Sequence, residues 1–443
     1  MNTTAAIVLS LVSAASLLAS DLPPLVLPAG MGVNIHFTRG REHDLDLIEA
    51  AGFKFIRMDF LWSGTEKHKG EYDWTAYDEL TANIERRGIR PIYILDYSNA
   101  LYERPVVYKN PHNGKEQHVP ASPQNFVSIP GFANWAAAAS RHFRGHHVVW
   151  EIWNEPNIGF WKPKPDANQY AALAMATCRA LRSADPQATI IAPGSSLFPW
   201  PFLETLFASG ILDYLDAVSV HPYRSDKSPE TAAEDYQKLR SLIERYAPAS
   251  KRLLPIISSE CGYATNIKGV SLETQAAFIT RQQLSNLLNN VPISIWYDWK
   301  NDGSDPAYNE DNFGIVFGDL TLKPSYVAAQ TLTRQLSGFH IARRLQTAVD
   351  DFVLLFVNDS GDQKLAAWTV AKPHTIYIPL GITAAKVSAV SGMNLPLTTK
   401  DSTNSTLAID LQLTPQYFTF KTPVIKLVSL STSTPQLVQS GRQ

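Results

Sequence analysis

Cysteine is nearly missing. Cys178 and Cys261 are the only two among 443 residues, so a disulfide framework does not hold this chain together. A surplus of one charge is missing too. The formal net charge is −2, without the basic excess used on nucleic acid or the acidic excess of a disordered tail. The apolar stretch from Ala5 to Ala19 is too short and too weakly hydrophobic for a membrane span. Its length and small residues, followed by Asp21 and Pro23-Pro24, suit a secretory signal peptide, although no Lys or Arg precedes it. We therefore expect residues 1–20 to direct a secreted or periplasmic protein. A phosphate-binding glycine turn after the first strand is also absent, because Gly30-Met31-Gly32 precedes that strand; this removes the dinucleotide-binding reading. The first strand offers Asn34-Ile35-His36 rather than His-x-His, and His112, His118, His142, His146 and His147 scatter. No metal and no cofactor is expected.

What is present suits a folded chain with ample core: 45% hydrophobic and 18% charged residues. The length calls for a large domain with a smaller companion. From residue 32 a pattern repeats, a helical stripe followed by an apolar strand. The expected strands are Gly32 to Phe37, Phe53 to Trp62, Ile89 to Tyr97, His146 to Trp153, Ala188 to Pro193, Leu215 to Val220, Leu254 to Ser259 and Pro292 to Trp299. They are apolar on both faces and separated by helix lengths, as parallel strands covered by helices require. Eight such units predict a (β/α)8 TIM barrel over 21–338. The long connection from Tyr102 to Pro130 is expected to wall part of the cleft. Beyond Gly338 short alternating runs take over, predicting a small antiparallel β-sandwich over 339–430 that packs on the barrel, with a polar tail over 431–443. Trp368 is expected in that core.

The chemistry centres on two strand ends. Val148 to Trp153 runs into Asn154-Glu155-Pro156-Asn157, and Leu254 to Ser259 runs into Glu260-Cys261-Gly262. Residues at the carboxyl ends of barrel strands converge on one mouth, and two carboxyl groups there are the equipment for cleaving a glycosidic bond. Arg57 lies inside an apolar strand and must meet a carboxylate, with Glu260, Asp59 and Glu151 as candidates. His221-Pro222-Tyr223 brings an imidazole and a phenol to the same rim, where Tyr223 could donate to Glu260 and His221 could touch sugar hydroxyls. Cys261 reads as a small buried thiol.

These motifs resemble the retaining clan A glycoside hydrolases. Three further stretches, Gly32 to His36, Asn157 to Pro163, and Asp311 to Gly314 with Lys323-Pro324, are similar to glycoside hydrolase family 39. The Gly159-Phe160-Trp161-Lys162-Pro163 run looks most like its members that cleave bacterial exopolysaccharide. The resemblance implies Glu155 as acid/base, Glu260 as nucleophile, Asn154 as donor to the sugar 2-hydroxyl, and Arg57 and Tyr223 as supports of the nucleophile. Ser259 stands where relatives often carry Thr. His36 joins the sugar-contacting set. Among the rim aromatics Trp62, Phe160, Trp161, Trp200, Trp296 and Trp299, Trp299 is expected to floor a subsite and Trp161 to contact substrate. The expected partner is a β-linked oligo- or polysaccharide, with no nucleic acid, no membrane span in the mature chain and no obligate protein partner. An exopolysaccharide endoglycosidase leads, with an exo-acting β-xylosidase-like or β-mannosidase-like enzyme and a non-catalytic carbohydrate-binding barrel as alternatives.

Overall fold

The computed structural model describes residues 21–109, 114–380, 387–397, 406–421 and 425. The expected signal segment and the polar tail lie outside the described residues. Eight parallel strands close into a barrel in chain order: β1 (Met31–Asn34), β2 (Phe55–Leu61), β3 (Arg90–Asp96), β4 (Val149–Ile152), β5 (Thr189–Ser196), β6 (Ala217–His221), β7 (Ile256–Cys261) and β8 (Ser294–Trp296). All eight overlap the stretches expected from the sequence.

Side chains alternate across each strand, and the inward set makes a dry plug. Phe55, Ile92, Val149, Ile191, Ala217, Ile257, Ile293 and Ile295 form one cluster inside the barrel. The first strand has no room to contribute: a Cβ on Gly32 would lie 2.3 Å from Ile295 Cδ1 and 2.8 Å from Phe55 Cβ. The plug closes the barrel below and leaves the strand ends above it for polar groups. The outward set packs under the helices in a second, larger cluster.

After Phe339 the chain forms β9 (His340–Arg344), β10 (Asp351–Val357), β11 (Gln363–Thr369), β12 (His374–Pro379), β13 (Val387–Ser391), β14 (Pro396–Leu397), β15 (Thr406–Leu411) and β16 (Gln416–Phe420). A six-stranded sheet runs β9-β10-β11-β16-β13-β14, and β12 pairs with β15. The central strands of the larger sheet, β10, β11 and β16, are buried on both faces. Val353, Leu355, Leu365 and Phe418 meet Ile378, Leu407 and Ile409 of the smaller pair, while Phe352, Leu354, Ala366, Trp368 and Tyr417 join the barrel's outer cluster.

The helix Leu272–Leu288 lies in this seam and is buried almost all round. Three of its buried polar side chains bond to the barrel: Gln275 donates to the Tyr263 carbonyl, Gln283 to the Ser294 carbonyl and Asn286 to the Ser294 hydroxyl. Arg281 pairs with Glu230, which also accepts from the Trp368 indole. The long connection after β3 carries a hairpin of its own, Pro105–Lys109 paired with Glu116–Pro120. It meets the loop after β4, where the Lys162 ammonium lies 3.3 Å from the Tyr108 ring centre.

Candidate active site

Arg57 organises the mouth. It follows Phe55 on the inward face of β2, one layer above the plug, and is 1% exposed. All five of its N–H groups are directed. Nε donates to Glu151 at 2.7 Å, Nη1 to Glu260 at 2.6 Å and Asn34 at 3.2 Å, and Nη2 faces Asn154 Oδ1 at 2.9 Å and His221 Nε2 at 3.2 Å. Of the three carboxylates weighed from sequence it bonds two at once, Glu151 and Glu260, and not Asp59. A buried guanidinium so satisfied fixes β1, β4, β6 and β7 relative to β2.

The two glutamates reach the mouth because the backbone departs from regular strand. Alternation along β7 puts Ile257 inward and Ser258 outward, which would turn Glu260 toward the helices. The pairing of β7 with β8 slips between Ser258 and Cys261, and such an irregularity re-aims a side chain. Past the end of β4, Trp153 and Glu155 take left-handed φ values of 70° and 46°, a strained choice that clusters at functional sites. The turn is held from β5: the Glu155 amide donates to the Gly194 carbonyl at 2.9 Å, and Asn157 exchanges two hydrogen bonds with Ser196. Gly194 has φ +56°, and a Cβ there would lie 2.9 Å from Glu151 Oε1, so only glycine fits.

One carboxylate oxygen from each of Glu155 and Glu260, with a ring nitrogen of His221, lie within 4.8 Å of one another. Both glutamates are buried, at 8% and 9% exposure. The Tyr223 hydroxyl donates to Glu260 Oε1 at 2.7 Å. Burial pushes the Glu260 carboxyl up, and His221, Arg57 and Tyr223 more than offset this, holding it below its ordinary value. Arg57 can only donate, so His221 Nε2 accepts and its Nδ1 carries the proton. That N–H points at Glu155 Oε1, 3.0 Å away. The Arg57 guanidinium, 2.6 Å from Glu260, is the permanent positive charge beside it. Asn154, next to Glu155 past the end of β4, accepts from Arg57 and donates to the Tyr97 hydroxyl at 3.0 Å.

His36 is half-exposed at the end of β1, its Nδ1 3.0 Å from Asp302 and 3.8 Å from Asp298. It lines a cavity of about 180 Å³ beside the mouth. His36, Asp298 and Asp302 are, with Glu155, His221 and Glu260, the two groups among the described residues whose spacing could hold a cation.

Two aromatic assignments are corrected. Trp299 does not floor a subsite, because it is 1% exposed and its indole donates to Asp44 at 2.9 Å. Trp161 does not contact a substrate in the cleft, because it is fully buried between Trp153 and Tyr170, its indole donating to Gln169. Trp62 and Trp296 are likewise buried. The rings at the mouth are Tyr297, packed against His36 and Phe313, and Phe160, 43% exposed and stacked on Tyr97. Tyr97, Tyr297 and Asn34 were not assigned roles from the sequence, and Glu151 only that of a candidate partner for Arg57. Glu151 alone carried a usable signal, as an acid inside an apolar strand. Cys178 and Cys261 are both buried and free, and burial pushes the Cys178 thiol up to about 12.

An eight-stranded parallel barrel with paired carboxyl groups at its strand ends defines a clan A glycoside hydrolase. The chain belongs to the glycoside hydrolases described by the cellulase model, glycosyl hydrolase family 5, which matches residues 29–303. Among solved structures it is similar to a family 39 glycoside hydrolase from Bacteroides cellulosilyticus WH2. That likeness has a TM-score of 0.76 and 26% identity, covering 90% of this chain and 82% of that one. A family 39 enzyme from Xanthomonas axonopodis pv. citri has a TM-score of 0.63 and 16% identity, covering 88% of this chain and 93% of that one. A family 39 β-xylosidase from Caulobacter crescentus has a TM-score of 0.64 and 18% identity, covering 90% and 97%. At those identities the last two bear on the fold alone. No curated protein matches the chain significantly. No helix among the described residues is long and apolar enough to cross a membrane.

Proposed function

We propose that this glycoside hydrolase retains configuration, cleaving β-linked oligo- or polysaccharide by double displacement. Glu260, ionised against Arg57 and Tyr223, attacks the anomeric carbon while Glu155 protonates the departing oxygen. Water then opens the glycosyl ester on Glu260, giving its proton to Glu155. Asn154 spends one amide N–H on Tyr97 and keeps the other for the sugar 2-hydroxyl. Residues 1–20 export the chain. The observation that carries this reading is the approach of the two carboxyl groups to within 4.8 Å. A covalent mechanism works at about 5–5.5 Å between carboxyl groups, and an inverting one needs roughly 6.5–9.5 Å to seat a water.

The test is a hydrolysis screen over β-linked oligosaccharides and exopolysaccharides with the parent chain, Glu155→Ala and Glu260→Ala. The parent should cleave at least one, and each variant should lose about 10³-fold or more in kcat while still binding it. If all three bind sugar alike and none cleaves, a non-catalytic carbohydrate-binding barrel replaces this reading.

A further inference from the structure

Glu151 is an acid beneath the mouth that the mechanism above leaves unused. It follows Val149 on the inward face of β4, as Arg57 follows Phe55 on β2, and Val149 and Phe55 both belong to the plug. Its side chain is fully buried. Oε2 accepts from Arg57 Nε at 2.7 Å. Oε1 has no hydrogen-bond partner and lies beside Gly194, where a Cβ would come within 2.9 Å of it. Arg57 is the one cation paired with Glu151 among the described residues. The ionisable groups Asp96 and Tyr170, which feel its charge, are acids and do not balance it.

One guanidinium therefore serves two carboxylates, because Nη1 donates to Glu260 at 2.6 Å. The reaction treats the two differently. When Glu260 attacks, one of its lone pairs becomes the bond to the anomeric carbon. The electron pair of the broken glycosidic bond leaves with the oxygen that takes the Glu155 proton, and Glu260 becomes an uncharged ester. Arg57, 1% exposed, then holds its positive charge with one carboxylate fewer, and a buried cation stripped of its partner is strongly destabilising. The bond from Nε to Glu151 is untouched by the attack.

We propose that Glu151 is the standing counter-ion of Arg57, a positioning residue that holds the guanidinium when Glu260 loses its charge on esterification. This rests on the retaining reading above, and the second experiment below does not depend on that reading.

Glu151→Gln keeps the shape and an acceptor oxygen for Nε and removes the charge. The probes are 2,4-dinitrophenyl 2-deoxy-2-fluoro-β-glycosides in gluco, galacto, manno and xylo forms, whose good leaving group and slowed turnover separate the two steps. In the parent, mass spectrometry should find the fluorosugar on Glu260. In Glu151→Gln the rate of trapping should fall about 100-fold. Release of the trapped sugar should fall less than about tenfold, because departure from the ester returns a carboxylate to Arg57. A residue that merely supports the fold would slow both steps alike, so a split under about tenfold overturns the inference. Thermal unfolding of Glu151→Gln, Glu260→Gln and the double variant gives a readout without any glycoside, the uncharged amide of Glu260→Gln standing in for the ester. Each single variant leaves Arg57 one carboxylate and the double leaves none. The fall in Tm of the double should therefore exceed the sum of the single falls by at least about 3 °C, and failure of the double alone to fold counts the same way. Additive falls, or a Glu151→Gln chain that by itself does not fold, overturn the inference and leave the hydrolase standing. A parent that neither cleaves nor is trapped ends the retaining reading; the unfolding series then decides this one, an excess supporting Glu151 as the counter-ion and additive falls overturning it.

Discussion

His221 donates its Nδ1 proton to Glu155 Oε1 across 3.0 Å, and the direction of that bond is fixed from the other side of the ring by the donor-only Arg57. One oxygen of Glu155 is thereby occupied, which on the proposed mechanism leaves the other for the departing sugar. His221→Ala should lower kcat by about 10²-fold. The loss should be greater for alkyl glycosides, which need a proton on leaving, than for 2,4-dinitrophenyl glycosides, which do not. Steady-state rates on the two substrates measure it, and equal losses would show that His221 does not orient the acid.

Tyr223 bears on pH. Glu260 is held below its ordinary value in the folded chain, so its ionised form contributes stability above the unfolded pKa, lost as pH falls through the folded one. Removing a donor to the carboxylate raises its pKa. Tyr223→Phe should therefore move the acid limb of kcat/KM upward by about one pH unit. A limb that stays put would mean that Glu260 is not the group titrating there.

Arg57 carries stability as well as charge. Arg57→Met leaves Glu151, fully buried, and Glu260 without their cation, and breaking such a pairing costs about 3–5 kcal/mol. Urea unfolding should show that loss together with the loss of activity. A change under about 1 kcal/mol, within the range of an exposed pair, would contradict the burial described.

At the seam between barrel and β module, Trp368→Phe removes the donor to Glu230 while Arg281 stays paired with it. The lost hydrogen bond and the unfilled volume should cost about 2–3 kcal/mol. Calorimetry should show a lower Tm with kcat unchanged. Lost activity with an unchanged Tm would place Trp368 in the site instead.

Much of this was legible in the sequence, where one physical signal sufficed. Strands apolar on both faces with helical stripes between them read as a barrel, and the glutamates at the ends of β4 and β7 read as a pair sharing one mouth. Arg57 was legible because an isolated charge in an apolar strand needs a partner. The direction of side chains past the strand ends was not. Glu260 turns inward through a slip in β7, and Trp153 and Glu155 turn through left-handed backbone, neither of which leaves a local mark in composition. For the same reason Trp161 and Trp299 read as cleft residues and are core, while Tyr297 and Phe160 stand at the mouth. The strand His340–Arg344 escaped notice because its residues are all half-buried and show no alternation.

The central claim is that Glu260 bonds to the sugar. Proton NMR of the first product released from a β-linked substrate tests it most directly, before mutarotation sets in. The account predicts the β anomer, accumulating first and converting only later to the equilibrium mixture. Initial release of the α anomer would require a water between the carboxyl groups and would contradict it.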